Sequence, residues 1–141
     1  MCVSHTYNEV MTVKTKLEIK SWDEKPRHEF PDGSKLSAAD VTLAGTGDGL
    51  ESGSFHSVLY YRPDGTSSYA WLMHLTGTID GRTGSLVLQG DGTYDGTTAR
   101  GTASVVEGSG TGELTGVRGT AESVSTHADY PNMPLTLDLE F

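Results

Sequence analysis

One cysteine, five prolines and no surplus of basic residues set the first limits on this chain of 141 residues. A single thiol, Cys2, excludes an intramolecular disulfide, so burial and hydrogen bonding must hold the fold together. Ten Lys and Arg stand against 19 Asp and Glu, a formal net charge of −9. That balance leaves no basic patch and excludes nucleic acid and an anionic membrane surface as partners. No apolar run approaches the roughly 20 residues of a membrane-spanning helix. The first thirty residues also lack the apolar stretch of a secretory signal. The expectation is a soluble cytoplasmic protein. No HExxH, H-x-H or cysteine-based spacing is present, so neither a metal nor a cofactor is expected. A G-x-S-x-G nucleophile elbow is missing too.

Glycine is plentiful at 18 residues, while apolar content is an ordinary 35%. The glycines therefore punctuate structure and do not mark disorder. The densest run is Gly108 to Gly119, five glycines in twelve residues with Leu114 and Val117 among them. It lacks the Lys-Ser/Thr ending of a phosphate loop. Its spacing suits a tight turn that re-enters a sheet, with Leu114 and Val117 tucked beneath.

Alternation of period two dominates the rest. Val13, Thr15, Leu17 and Ile19 share one face of a strand over 12–21, opposite Lys14, Lys16, Glu18 and Lys20. Residues 22–34 hold two prolines and Asp32-Gly33 and read as a long loop. Strands follow over 36–43 and 55–61. Pro63-Asp64-Gly65, Asp80-Gly81 and Asp95-Gly96 are hairpin signals. The first pairs Leu59 with Tyr69 and Phe55 with Met73. The second pairs Trp71 with Gly90 and Tyr69 with Gly92. The third, taken as a two-residue turn, pairs Gly90 with Gly101, Gly92 with Ala99 and Asp91 with Arg100. All three registers collect Phe55, Leu59, Tyr61, Tyr69, Trp71, Met73, Leu75, Leu86, Leu88, Ala99, Ala103 and Val105 on one face. A one-residue slip would scramble that partition. Short strands over 119–125 and 135–141 complete about eight. The chain reads as all-β: a flexible N-terminal arm over 1–11 and a single β-barrel domain over 12–141.

The string Tyr61-Arg62-Pro63-Asp64-Gly65-Thr66, then Gly77 to Ser85, then Gly108 to Gly119, resembles the DUF3224 family of small bacterial proteins. Trp22-Asp23-Glu24-Lys25-Pro26 fits the same family. The run from Gly110 to Gly119 is also similar to the barrel motif of allene oxide cyclases and dirigent proteins. The resemblance implies an eight-stranded antiparallel barrel of the allene-oxide-cyclase type and a homo-oligomer. It supplies no catalytic residues. It implies acidic residues near Leu50 and Ser52 and a glutamate near Met73, where this chain is apolar or small. An interior carboxylate is thus not expected.

On the interior face, Trp71 and Tyr69 lie beside Gly90, Gly92 and Gly101. In a small barrel, large rings beside a strip without side chains either pack over the glycines or leave a slot for a ligand. The slot would be lined by Trp71, Tyr69, Tyr61, Met73, Phe55, Leu59, Gly90 and Gly101, with Trp22 and Tyr130 near its mouth. Tyr hydroxyls and the Trp N–H would make its few polar contacts. Glu24, His28, His127, Asp129 and Tyr130 fall in two long loops that could cap one end. His56 and His74 fall on the outer face as diagonal neighbours.

An interior with no paired acid and base disfavours proton-transfer chemistry. It suits an apolar small molecule whose shape is constrained, and confinement alone can promote an intramolecular ring closure. The leading expectation is an isomerase or cyclase acting on an apolar substrate inside the barrel. The alternatives are a non-catalytic barrel that binds or carries a small hydrophobic ligand, and a structural barrel whose outer face (Val58, Tyr60, Leu72, Val87, Val106) is buried in an oligomer.

Overall fold

The computed structural model describes residues 10–141. Cys2 and most of the expected arm lie outside that range, and Val10 and Met11 already belong to the first strand. The strands are β1 (Val10–Glu29), β2 (Lys35–Gly45), β3 (Leu50–Tyr61), β4 (Ser67–Ile79), β5 (Arg82–Tyr94), β6 (Thr98–Val105), β7 (Thr111–Gly112), β8 (Arg118–Thr126) and β9 (Asn132–Glu140). A short 3-10 turn, His127–Asp129, precedes β9. All pairings are antiparallel. The order β4-β3-β2-β1-β9-β8-β6-β5 is closed by the β4–β5 pairing, so eight strands form a ring. The two-residue β7 is a ninth strand, added to β5. Among the described residues no helix is long and apolar enough to cross a membrane.

Inside the ring, side chains alternate with the pleat. Leu17, Leu75, Leu86, Leu88, Leu135, Leu137 and Leu139 are fully buried. Val58 and Leu72, on the opposite face, are exposed. The hairpins at Pro63-Asp64-Gly65 and Asp80-Gly81 have the registers read from their turns: Leu59 faces Tyr69, Phe55 faces Met73 and Trp71 faces Gly90. Asp80 and Gly81 both take positive φ, as a tight two-residue turn requires.

The third hairpin differs. Tyr94 faces Ala99, Gly92 faces Gly101, Gly90 faces Ala103 and Leu88 faces Val105. The Asp95 carboxylate accepts from the N–H groups of Thr97 and Thr98, at 2.9 and 2.8 Å. The Asp95 N–H in turn reaches the Thr98 carbonyl. The turn is therefore centred one residue later, and every pair moves by two. An even shift leaves each side chain on its own face, so the interior set survives. Asp91 faces Thr102, however, and Arg100 faces Thr93; the expected Asp91–Arg100 cross-strand pair is not formed.

The largest departure is β1. The expected loop over 22–34 is strand as far as Glu29. A bulge between Ile19 and Ser21 shifts the register by one residue. Apolar parity then changes from odd (Leu17, Ile19) to even (Trp22, opposite Val41), so the alternation changes phase there and does not stop. A second bulge between Pro26 and His28 accommodates the proline.

The glycine-rich segment folds back over one end of the ring. Leu114 and Val117 are buried beneath it, as their spacing suggested. Thr83 and Glu113 exchange hydrogen bonds, and Ser109 caps the Val87 N–H at 3.0 Å. Gly110 allows this closeness, because a Cβ there would lie 2.0 Å from the Leu114 carbonyl oxygen.

Candidate functional site

At the other end, the ring interior is a cavity of about 410 Å³. That falls in the span of small-molecule clefts, roughly 300–1,000 Å³. Its wall is built by parity. Phe55 and Leu59 come from β3, Tyr69, Trp71 and Met73 from β4, and Gly101 from β6. Tyr61 closes the end of β3, and Trp22 comes from the even-parity half of β1, its ring edge-on to Phe55 with centroids 5.8 Å apart.

Eight of the ten positions expected to line a slot surround this cavity: Trp71, Tyr69, Tyr61, Met73, Phe55, Leu59, Gly101 and Trp22. Two do not. Gly90 faces Ala103, and a Cβ on it would meet the Thr102 carbonyl oxygen at 2.3 Å and the Ala103 Cβ at 2.7 Å. Its missing side chain lets two strands approach and leaves no room for a ligand. Tyr130 is 66% exposed on the turn before β9 and lies off the wall.

Other lining residues were legible but unread. Tyr94 continues the interior parity of Leu86 and Leu88, and Ser123 and Ser125 continue that of Ala121. Met133 and Leu135 do the same on β9. His127, already expected in a loop that could cap one end, reaches the cavity from the 3-10 turn, and its Nε2 lies 2.5 Å from the Tyr94 hydroxyl. That hydroxyl donates to the Gly96 carbonyl at 2.8 Å, which leaves its oxygen to accept from His127.

Glu24, expected in a loop that could cap one end, instead lies on the inward side of strand β1 at the rim of the cavity. Glu24 faces Ala39 on even-parity β1. It accepts from the Tyr61 hydroxyl at 2.7 Å, from Ser37 Oγ at 2.9 Å and from Trp22 Nε1 at 2.9 Å. Burial pushes the Glu24 carboxyl up, but these three hydrogen bonds and the charge of Lys35 outweigh it and hold the group below its ordinary value of 4.5. Burial, then the hydrogen bond to Glu24 and its charge, push the Tyr61 phenol up. Glu24 is thus ionised at neutral pH with its oxygens engaged, and it fixes the mouth aromatics in place. His28 stacks edge-on to Phe30, with centroids 4.6 Å apart, and lies off the cavity wall. Asp129 closes the 3-10 turn by accepting from the Thr126 N–H. On the outer face His56 contacts Asp40 at 2.6 Å, both side chains about 70% exposed, and faces Leu72 across the strands. His74 faces Ser54.

The family model described as a protein of unknown function (DUF3224) matches residues 13–138. This chain belongs to the DUF3224 family. A crystal structure of a DUF3224 protein with unknown function from Shewanella oneidensis MR-1 is similar to it. The two are 25% identical with a TM-score of 0.69, over 93% of this chain and 97% of the other. No curated protein matches the chain. The matched region of this DUF3224 chain runs from the first half of β1 to β9, and so takes in every strand of the ring and the whole cavity wall.

Proposed function

We propose that this DUF3224 chain is a small-molecule barrel of the allene-oxide-cyclase type that binds one apolar ligand within its ring. The observation that carries the reading is the aromatic cavity of about 410 Å³ in an otherwise close-packed interior. Natural cores leave few voids larger than a water molecule, so a space of this size at one end of the ring is a feature of the design. Among the described residues, six Phe, Tyr and Trp side chains line it: Trp22, Phe55, Tyr61, Tyr69, Trp71 and Tyr94. Such rings supply large apolar contact area with little side-chain entropy to lose.

A second reading, an isomerase or cyclase that acts by confinement, is favoured by one further observation. Among the described residues the cavity wall carries no carboxylate, and Glu24 at its rim is held by hydrogen bonds, so catalysis here would come from shaping a flexible substrate. The two readings separate on turnover alone.

Trp22 and Trp71 are the only tryptophans of the chain, and both line the cavity. Their fluorescence therefore reports occupancy directly. Titration with bornane, a rigid bicyclic hydrocarbon, is expected to change the emission saturably. Ala99→Phe fills the cavity from β6 and is expected to abolish that response while the strand signal in circular dichroism persists. Undiminished binding in the folded variant would overturn the reading.

A further inference from the structure

We infer that Tyr69 and Trp71 form, in front of Gly101, a subsite for one hydrogen-bond acceptor, so that the ligand is an apolar molecule carrying a carbonyl or ether oxygen. The inference rests on the cavity reading above and narrows it to a chemical class.

Among the described residues, five Tyr and Trp side chains, each with a polar hydrogen, line the cavity, beside His127, whose Nε2 is engaged with Tyr94. Trp22 and Tyr61 donate to Glu24, and Tyr94 donates to the Gly96 carbonyl. Tyr69 and Trp71 differ. Neither donates to any acceptor among the described residues, although Trp71 is 9% exposed and Tyr69 is half-buried. No fully buried side-chain nitrogen or oxygen lacks a partner among the described residues. The two free donors therefore open onto the cavity and do not end in packed protein. An apolar ligand that covered these donors without offering an acceptor would desolvate them at a cost, and an acceptor on the ligand removes that penalty.

The two donors share one volume. A Cβ placed on Gly101 would lie 3.6 Å from the Tyr69 hydroxyl oxygen and 3.7 Å from Trp71 Nε1. An oxygen near that point lies within reach of both. The Tyr69 ring is held there because Gly92 lets it lie against β5; a Cβ on Gly92 would be 2.6 Å from the hydroxyl.

Gly101 itself is under no backbone demand. Its φ is not in the left-handed region, and the nearest protein atom to an added Cβ is the Asp91 carbonyl oxygen at 3.4 Å, an ordinary contact. Alanine would fit the fold. What glycine leaves open is the approach to the two donors.

The polarity follows from chemistry. Indole N–H donates and never accepts, so Trp71 requires an acceptor on the ligand. Burial pushes the Tyr69 phenol up, so it keeps its proton to donate. A carboxylate is a poor match, because among the described residues no lysine or arginine lines the cavity, the Nε2 of His127 is engaged with Tyr94, and an unpaired charge is unfavourable there. A ketone, ester or ether on an apolar skeleton satisfies the donors and the walls together.

Camphor and bornane share one skeleton and differ in a ketone oxygen. Calorimetric titration of the full chain with each should show camphor bound about tenfold tighter, the worth of one or two neutral hydrogen bonds. Trp71→Phe, Tyr69→Phe and Gly101→Ala should each shrink that preference several-fold while bornane binding changes less. If the hydrocarbon binds as tightly as the ketone, the acceptor subsite is overturned and the cavity reading stands. A camphor preference that survives all three substitutions also overturns it. If neither compound binds, both readings fall. Should Trp71→Phe fail to fold, Tyr69→Phe and Gly101→Ala carry the test.

Discussion

The two ends of the ring are built from the same strands and come out differently. At one end Leu75, Ile79, Leu86, Leu114, Val117 and Leu139 are all but inaccessible, with the glycine-rich segment folded over them. At the other, Trp22, Tyr61, Tyr69, Trp71 and Tyr94 surround open volume. Branched aliphatic side chains interdigitate and fill a tapering interior to crystal-like density. Planar rings held flat against glycine-bearing strands stand apart and leave a space between them. The lesson is that glycine has two roles here. Gly110 and Gly90 bring backbones together, whereas Gly101 leaves the front of two donors clear.

The largest expected effect is at the filled end. Leu139→Ala removes a side chain with no solvent access and should cost about 2–5 kcal/mol. Urea denaturation followed by circular dichroism measures this. A loss below about 1 kcal/mol would mean that the two ends are not packed differently after all. Next comes Gly90→Ala, whose Cβ meets backbone oxygen at 2.3 Å. It is expected to destabilise by about 1–3 kcal/mol through strand displacement, again read from the unfolding midpoint.

At the aromatic end, Tyr61→Phe removes one donor to Glu24 and should cost about 0.5–1.5 kcal/mol. It should also change the pH dependence. The Glu24 carboxyl titrates below 4.5 in the folded chain, so its contribution is complete above that value and is lost as pH falls through the folded pKa. Acid unfolding of Tyr61→Phe should therefore fall less steeply with pH than that of the parent. The smallest effect belongs to Gly101→Ala, within about 1 kcal/mol of the parent, because neither conformation nor crowding opposes it. Equal losses for Gly90→Ala and Gly101→Ala in parallel thermal melts would erase the distinction between the two glycine roles.

Much of this was open to sequence reasoning, and the failures have physical causes. The interior face was legible because period-two alternation is rigid and turn residues such as Asp80-Gly81 fix the pairing. DUF3224 membership was legible from the turn strings and the glycine run. The half-strand carrying Trp22 and Glu24 was not. One bulge reversed its parity, and Pro26 looked like a loop residue. Glu24 was legible only as a loop residue that could cap one end, since its inward direction at the rim follows only once that strand is in place. The register near Gly90 failed because the Asp95 side chain replaced a backbone acceptor and moved the turn. Alternation says which side a residue takes, but the exact neighbour depends on such side-chain substitutions.

The long first strand has one more consequence. β1 pairs with β9 through Glu18, and from Ser21 to Glu29 it pairs with β2 alone among the described residues. Its free margin there could template the growth of a foreign strand. Pro26 contributes no N–H to that margin, and Asp23, Lys25, Arg27 and Glu29 distribute charge of both signs along it. Proline, charge and a bulge are the devices that keep open sheet edges from recruiting other chains. The second bulge, between Pro26 and His28, lies within that margin and adds to its protection against a foreign strand.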